Sequence, residues 1–167
     1  MATVEKRAAS DPIVITITRM SEHDLLEVVE IEEKSGLSRW GWAAYYAELQ
    51  SANRDLMLIA RLTRASIIES GPIAGYIVAR ETAGELHINN VAVRQEFRRR
   101  GIGATLLERV LQEARRRKAN AAFLEVRSGN HTAQALYVKN GFRPIATRSG
   151  YYSDPREDAV VMTLELK

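Results

Sequence analysis

A mixed α/β fold, one sheet with helices on both faces, is what the order of segments predicts: strand, two helices, three strands, helix, strand, helix, two strands. Two observations carry that expectation. Short β-branched runs alternate with segments whose apolar residues recur every three or four positions. No internal repeat or low-complexity stretch interrupts them. At 167 residues and 46% hydrophobic content the chain can bury one core and is short for two. Residues 10–167 are therefore expected to form one domain. Residues 1–9 mix charge with small side chains and have no apolar period, so they are expected to be a flexible arm.

Ile13 to Arg19 alternates β-branched residues and predicts the first strand. Ser21 then stands as an N-cap before Glu22, His23 and Asp24. Leu25, Leu26, Val28, Val29 and Ile31 form a helical stripe that Gly36 closes. A second helix is predicted from Trp40 to Gln50, with Trp40, Trp42, Tyr45, Tyr46 and Leu49 on it. Aromatic residues at that spacing ordinarily belong to a core. Their density after a Gly-Leu-Ser-Arg loop also suits a wall facing a substrate, and Trp40 is the candidate for that role.

Leu56–Leu62 and Ile73–Arg80 read as two strands of a hairpin, with turn chemistry at Ser70-Gly71-Pro72. Glu85 to Val93 reads as another, and the doubled Asn89-Asn90 interrupts its alternation in the manner of a β-bulge. Gly101 to Lys118 predicts a helix with Ile102, Leu106, Leu107, Val110, Leu111 and Ala114 on one face. Ala121 to Arg127 is a further strand. Asn130 caps a short helix from His131 to Asn140, which Asn140-Gly141 ends. Extended structure resumes from Phe142, and Glu157 to Leu166 is the last strand.

Composition excludes several chemistries. With no cysteine, disulfides, thiolate zinc sites and a cysteine nucleophile are ruled out, and a reducing compartment suits the chain. Three histidines, His23, His87 and His131, have no paired spacing, so no metal site is expected. Lone His87 on a strand reads as a packing contact before it reads as a base. No apolar run has the length of a secretory or membrane segment, and the expectation is a soluble, cytoplasmic protein.

Charge is uneven. The net charge is +3, yet Arg94 to Lys118 holds nine basic and three acidic residues, a local +6. Arg115, Arg116, Arg117 and Lys118 fall where a helix C-terminus favours cations, so the dipole accounts for them. Arg98, Arg99 and Arg100 stand instead at a strand-to-helix turn, ahead of Gly101, Ile102, Gly103 and Ala104. The first amides of a helix have no intrahelical acceptor, and the helix dipole adds roughly half a positive charge there. Glycines let main chain approach an anion closely, so this junction suits a pyrophosphate.

The run Arg-Arg-Arg-Gly-Ile-Gly-Ala at 98–104 resembles the Q/R-x-x-G-x-G/A signature of the GNAT acetyltransferase superfamily, with Arg98 at its first position. From Glu85 to Leu166 the resemblance narrows to the RimI type, on Leu124 to Arg127, Asn130, Ala135-Leu136-Tyr137, Gly141-Phe142, Tyr151-Tyr152, Arg156 to Ala159 and Met162. The N-terminal half resembles the superfamily in element order. The resemblance implies a sheet of about seven strands, mostly antiparallel, with a splayed central pair. It implies acetyl-CoA as cosubstrate and acetylation of the N-terminal amine of a protein or peptide, a ribosomal protein being the acceptor of the type's reference member.

Residue by residue, the resemblance implies that main chain of Val91, Ala92 and Val93 holds the thioester end. It assigns the pyrophosphate to Arg99 through Ala104 and the pantetheine arm to Asn130. Glu125 is implied as general base, Tyr137 as the acid that protonates the departing thiolate, and Tyr151 and Tyr152 as neighbours of the incoming peptide. The sequence departs from the type at Ser128-Gly129 and at Arg39-Trp40-Gly41-Trp42, where the type carries a proline-tryptophan loop.

The residue types have their own logic. An amine attacking a thioester needs a base, a polarised carbonyl and a proton for the thiolate. Alternation sets Phe123, Glu125 and Arg127 on one face of their strand and Leu124 and Val126 on the other. Glu125 is thus either that base or half of a cross-strand ion pair with an arginine. Tyr137 is either an ordinary half-buried tyrosine or the proton donor. Two other readings remain open at this level: a basic RNA-binding face over Arg94 to Lys118, and a regulator that binds CoA without turnover. Sequence leaves the acceptor, lysine and small amines included, and a monomer or homodimer open.

Overall fold

The computed structural model describes residues 12–64 and 71–167; the expected arm at 1–9 and Ser70 of the hairpin turn lie outside the described residues. The strands are β1 (Ile13–Arg19), β2 (Met57–Arg64), β3 (Ile73–Thr82), β4 (Glu85–Val93), β5 (Ala121–Arg127), β6 (Arg143–Ser153) and β7 (Arg156–Glu165). The helices are α1 (Leu25–Lys34), α2 (Gly41–Leu49), α3 (Ile102–Arg116) and α4 (His131–Lys139). Among the described residues these seven strands join one sheet in the order β1-β2-β3-β4-β5-β7-β6. Every neighbouring pair is antiparallel except β4 and β5, which are parallel.

The two faces of the sheet sort the core. Leu58, Ile77, Leu86 and Leu124 pack with Ile102, Leu106, Leu107 and Val110 of α3, and Tyr137 of α4 joins them. On the opposite face Met57, Ile59, Tyr76 and Val78 pack with Leu25, Val28 and Ile31 of α1 and Tyr45 of α2. Fully burying a large aliphatic side chain contributes about 1.5–3 kcal/mol, against a few tenths for most differences in helix propensity. The apolar stripe, more than propensity, therefore fixes α3.

Ser21 caps a 3-10 turn, Glu22–Asp24, that leads into α1. The buried Asp24 carboxylate accepts from the Ser21 amide at 2.7 Å and pairs with Arg61 of β2, which draws the first turn onto the sheet. The aromatic segment divides: Tyr45 is core, Trp40 is half-buried, and Trp42 and Tyr46 stack on the exposed side. His87 stacks on Phe123, a packing contact.

The doubled asparagine is a bulge. Val78 pairs with Asn90 and Ala79 with Ile88, so Asn89 is the extra residue in β4. An inserted residue reverses which face the following side chains take. Leu86 and Ile88 lie in the α3 core, whereas Ala92 lies in the α1/α2 core and Asn90 turns the same way. The pairing of β4 with β5 covers only Glu85–Ile88 and Ala121–Leu124. The two strands part at the bulge.

Candidate active site

A cavity of about 440 Å³ opens where β4 and β5 part. β4 contributes Ile88 to Val91, β5 contributes Glu125 to Arg127, and Asn130, Ala133 and Tyr137 come from α4 and its cap. Tyr151, Tyr152 and Pro155 close it from β6 and the turn into β7, and Ser35 to Ser38 with Trp40 close it from the α1–α2 loop. Of the residues expected at a site, Trp40, Val91, Glu125, Asn130, Tyr137, Tyr151 and Tyr152 line this cavity. Ala92, Val93 and the turn from Arg98 to Ala104 are not among its lining residues.

Glu125 and Tyr137 reach the opening from opposite faces. Leu124 and Val126 are in the α3 core, so alternation sends Glu125 to the α1/α2 side of the sheet. Tyr137 arrives with α4 from the α3 side. Glu125 lines the cavity and also has an arginine partner, Arg148 of β6 at 3.8 Å, which is largely exposed. Burial pushes the Tyr137 phenol up to about 12, and the neighbouring Tyr152 adds to it. Such a phenol keeps its proton throughout the physiological range. Tyr152 is also raised to about 12, first by burial and then by Tyr151, and Arg127 lies over its ring at 4.2 Å. The Asn130 side chain accepts from the Ala133 amide at 3.1 Å, so its oxygen caps α4 and its amide nitrogen is the group left for a ligand.

The start of α3 has the features an anion needs. Gly101 sits at φ +76°, and a β-carbon there would meet nothing within 4 Å. The first helical bond runs from the Thr105 amide to Gly101 O at 3.0 Å, so the Ile102, Gly103 and Ala104 amides precede the ladder. Buried Ile102 offers only main chain, and Gly103 lets the turn lie against Leu136 and Val93. The three arginines behave differently from one another. Arg98 folds back to donate to Val93 O at 3.1 Å, Arg100 lies over Phe97 at 5.6 Å, and Arg99 takes a left-handed φ of +63°. All three are exposed. At the far end of α3, Arg116 and Arg117 pair with Glu113 and hold its carboxyl at about 2, chiefly through the Arg116 hydrogen bond. Those two arginines of the basic segment are engaged within the fold, while Arg115 and Lys118 are exposed.

Two features were missed from residue types alone. Arg148 gave no signal, because its distance to Glu125 depends on β7 lying between β5 and β6. The second is a buried polar cluster of Glu32, Tyr45, Tyr76 and Asn90 on the α1/α2 side of the cavity. A carboxylate on the helix face that carries Val28 and Ile31 was the available signal. Among the described residues no helix is long and apolar enough to cross a membrane, and no three His, Asp or Glu side chains gather as metal ligands would.

Comparison with known proteins agrees with this geometry. The family model described as acetyltransferase (GNAT) family matches residues 25–142. A protein of Bacillus subtilis (strain 168), provisionally named a ribosomal protein bS18-alanine N-acetyltransferase, is 33% identical over 146 residues, 87% of this chain and 92% of its own length. The crystal structure of the ribosomal-protein-S18-alanine N-acetyltransferase from Escherichia coli superposes with a TM-score of 0.75 at 29% identity, covering 92% of this chain and 95% of that one. Ard1 from Thermoplasma volcanium gives a TM-score of 0.80 at 28% identity, over 90% of this chain and 97% of its own. Splayed strands, an open helix start and these similarities agree: the chain belongs to the acetyltransferase (GNAT) family.

Proposed function

We propose that this chain transfers the acetyl group of acetyl-CoA to the N-terminal amine of a protein or peptide by direct attack in a ternary complex. The observation that carries the reading is the pair Glu125 and Tyr137, set on opposite faces of the opening between β4 and β5. Residues 10–167 act as one acetyltransferase domain in this proposal. The names of the relatives, which make a ribosomal protein the acceptor of those enzymes, support peptides beginning with alanine as the first substrates to try.

The open space at Gly101 and the unladdered amides of Ile102, Gly103 and Ala104 fit a diphosphate. In this reading they hold acetyl-CoA there with charge from Arg99 and Arg100, while Arg98 braces the turn against β4. Asn130 would contact the pantetheine arm. Beyond Ile88, β4 no longer pairs with β5, which leaves main chain of Val91 to Val93 for the thioester end. Acetyl-CoA supplies an activated acyl group. The protein supplies the proton transfers and the alignment.

Glu125 takes the proton, directly or through water, from an acceptor whose α-amine is already about a tenth neutral at pH 7, its pKa being about 7.7 to 8.0. A lysine near 10.4 is under about a thousandth neutral, which favours the α-amine. Tyr137 returns a proton to the thiolate. Its raised value does not oppose this, because burial raises an alkyl thiol in the same desolvated site as well. Tyr151, Tyr152 and Trp40 would flank the peptide. Incubating acetyl-CoA with a library of peptides of varied first residue, followed by mass spectrometry, tests the proposal. Acetate on α-amines is expected; acetate confined to lysine side chains or small amines would overturn it.

A further inference from the structure

Glu32 is a buried carboxylate that the proposed chemistry does not use, with all its partners from other parts of the chain. Its Oε1 accepts from the Trp40 amide at 2.7 Å, the Tyr45 hydroxyl at 2.7 Å and Asn90 Nδ2 at 3.4 Å; its Oε2 accepts from the Gly41 amide at 3.1 Å. Tyr45 spends its only proton on Glu32. It must therefore accept from both Asn90 Nδ2 and Tyr76 Oη, each at 2.8 Å, which fixes the direction of every bond in the cluster. Burial, first of all, pushes the phenols of Tyr45 and Tyr76 well above the usual tyrosine range, so both remain donors.

Two of those donors, Trp40 and Gly41, are the opening amides of α2, which has no side-chain cap of its own. Glu32 of α1 serves as that cap from outside, where a carboxylate also meets the positive end of the helix dipole. Among the described residues no lysine or arginine pairs with it, so these dipoles are what offset its buried charge. The remaining arm reaches Asn90, the residue that the β4 bulge turns toward α1. Trp40 and Asn90 both line the cavity.

We infer that Glu32 is the positioning residue of the acceptor site, holding Trp40 and the α1–α2 loop at a fixed place relative to the bulge in β4. This rests on the proposed N-terminal acetylation, in which Trp40 flanks the peptide. Glu32→Gln puts an amide group among four donors, so at least one contact is lost without change of size. The expected result is a rise of about tenfold in KM for the acceptor peptide, with the dissociation constant of CoA by calorimetry within about twofold of the wild type. In a Trp42→Phe background, acrylamide quenching of Trp40 fluorescence should increase. A purely structural role would lower the melting temperature and leave the split between peptide and CoA absent. A folded Glu32→Gln protein with unchanged quenching and unchanged peptide KM, or with CoA binding lost in parallel, overturns the inference. Should Glu32→Gln not fold, Tyr45→Phe removes one donor and one acceptor from the same cluster and is judged by the same two readouts. If the wild type acetylates no peptide, the proposed function fails, and the quenching arm alone decides whether Glu32 holds Trp40.

Discussion

In the proposed reaction, the Glu125 carboxylate that pairs with Arg148 in the structure would also serve as the base. Among the described residues the cation paired with it is Arg148 at 3.8 Å, too long for a good hydrogen bond and on an exposed side chain, so the pair is weak. An ammonium entering the cavity competes with that guanidinium for the same oxygens. Alternation in β5 made the residue visible in sequence, because Glu125 follows the buried Leu124 and shares a face with Phe123 and Arg127. Tyr137 was visible through helical register and the resemblance. Glu32 was signalled only by its place on the apolar face of α1, since its four donors come from α2, its preceding loop and β4, and only the assembled fold brings them together. Losing a positioned acid or base ordinarily costs about 10²–10⁴ in rate. Initial rates with a peptide substrate should therefore show kcat reduced at least about a hundredfold in Glu125→Gln and in Tyr137→Phe, with CoA affinity nearly unchanged. Because the Tyr137 phenol is held near 12, its deprotonation should cause no alkaline fall in wild-type kcat below about pH 10.

Elements were legible where one face is apolar and the other polar. β4, β5 and the stripe of α3 stand where alternation and the 3.6-residue period put them. Boundaries moved by a residue or two: β2 runs Met57–Arg64 where Leu56–Leu62 was expected, and α3 ends at Arg116 where Lys118 was expected. The Asn89-Asn90 pair signalled the bulge, but its consequence, the reversal that turns Asn90 toward α1, needed the register with β3. The α3 start was legible through its glycines, and the structure separates their duties. Gly101 takes a left-handed φ in open space, while Gly103 lies against neighbouring side chains. Gly101→Ala adds a methyl to the residue that precedes the unladdered amides and places an L-residue at φ +76°. Stability should fall by about 1–2 kcal/mol from the backbone alone. Beyond that, KM for acetyl-CoA should rise about tenfold while peptide KM holds. An unchanged acetyl-CoA KM in the folded variant would remove this turn from cofactor binding.

At the scale of the molecule, the decisive feature is that β1 to β4 and β5 to β7 meet along only four residue pairs. Strand order was beyond residue patterns, because nothing in the sequence says that β7 inserts between β5 and β6. The splay was legible only through family resemblance. A ligand that grips the α3 start and runs along the opening touches β4 on one side and α4, which follows β5, on the other. It should therefore tie the two parts of the sheet together. Binding to the folded state alone stabilises by about 2.7 kcal/mol at one hundred times the dissociation constant. For a chain of this length each kcal/mol is worth about 2–4 °C, so saturating CoA should raise the melting temperature by about 5–10 °C. Pantetheine, which lacks the diphosphate, reaches the opening without engaging Ile102 to Ala104, and at equal concentration should shift the transition far less. Equal shifts from the two would mean that the helix start contributes little, and that contacts within the opening bind the ligand. Hydrogen exchange at Gly103 and Ala104, slowed by CoA and unaffected by pantetheine, is the local counterpart of the same outcome.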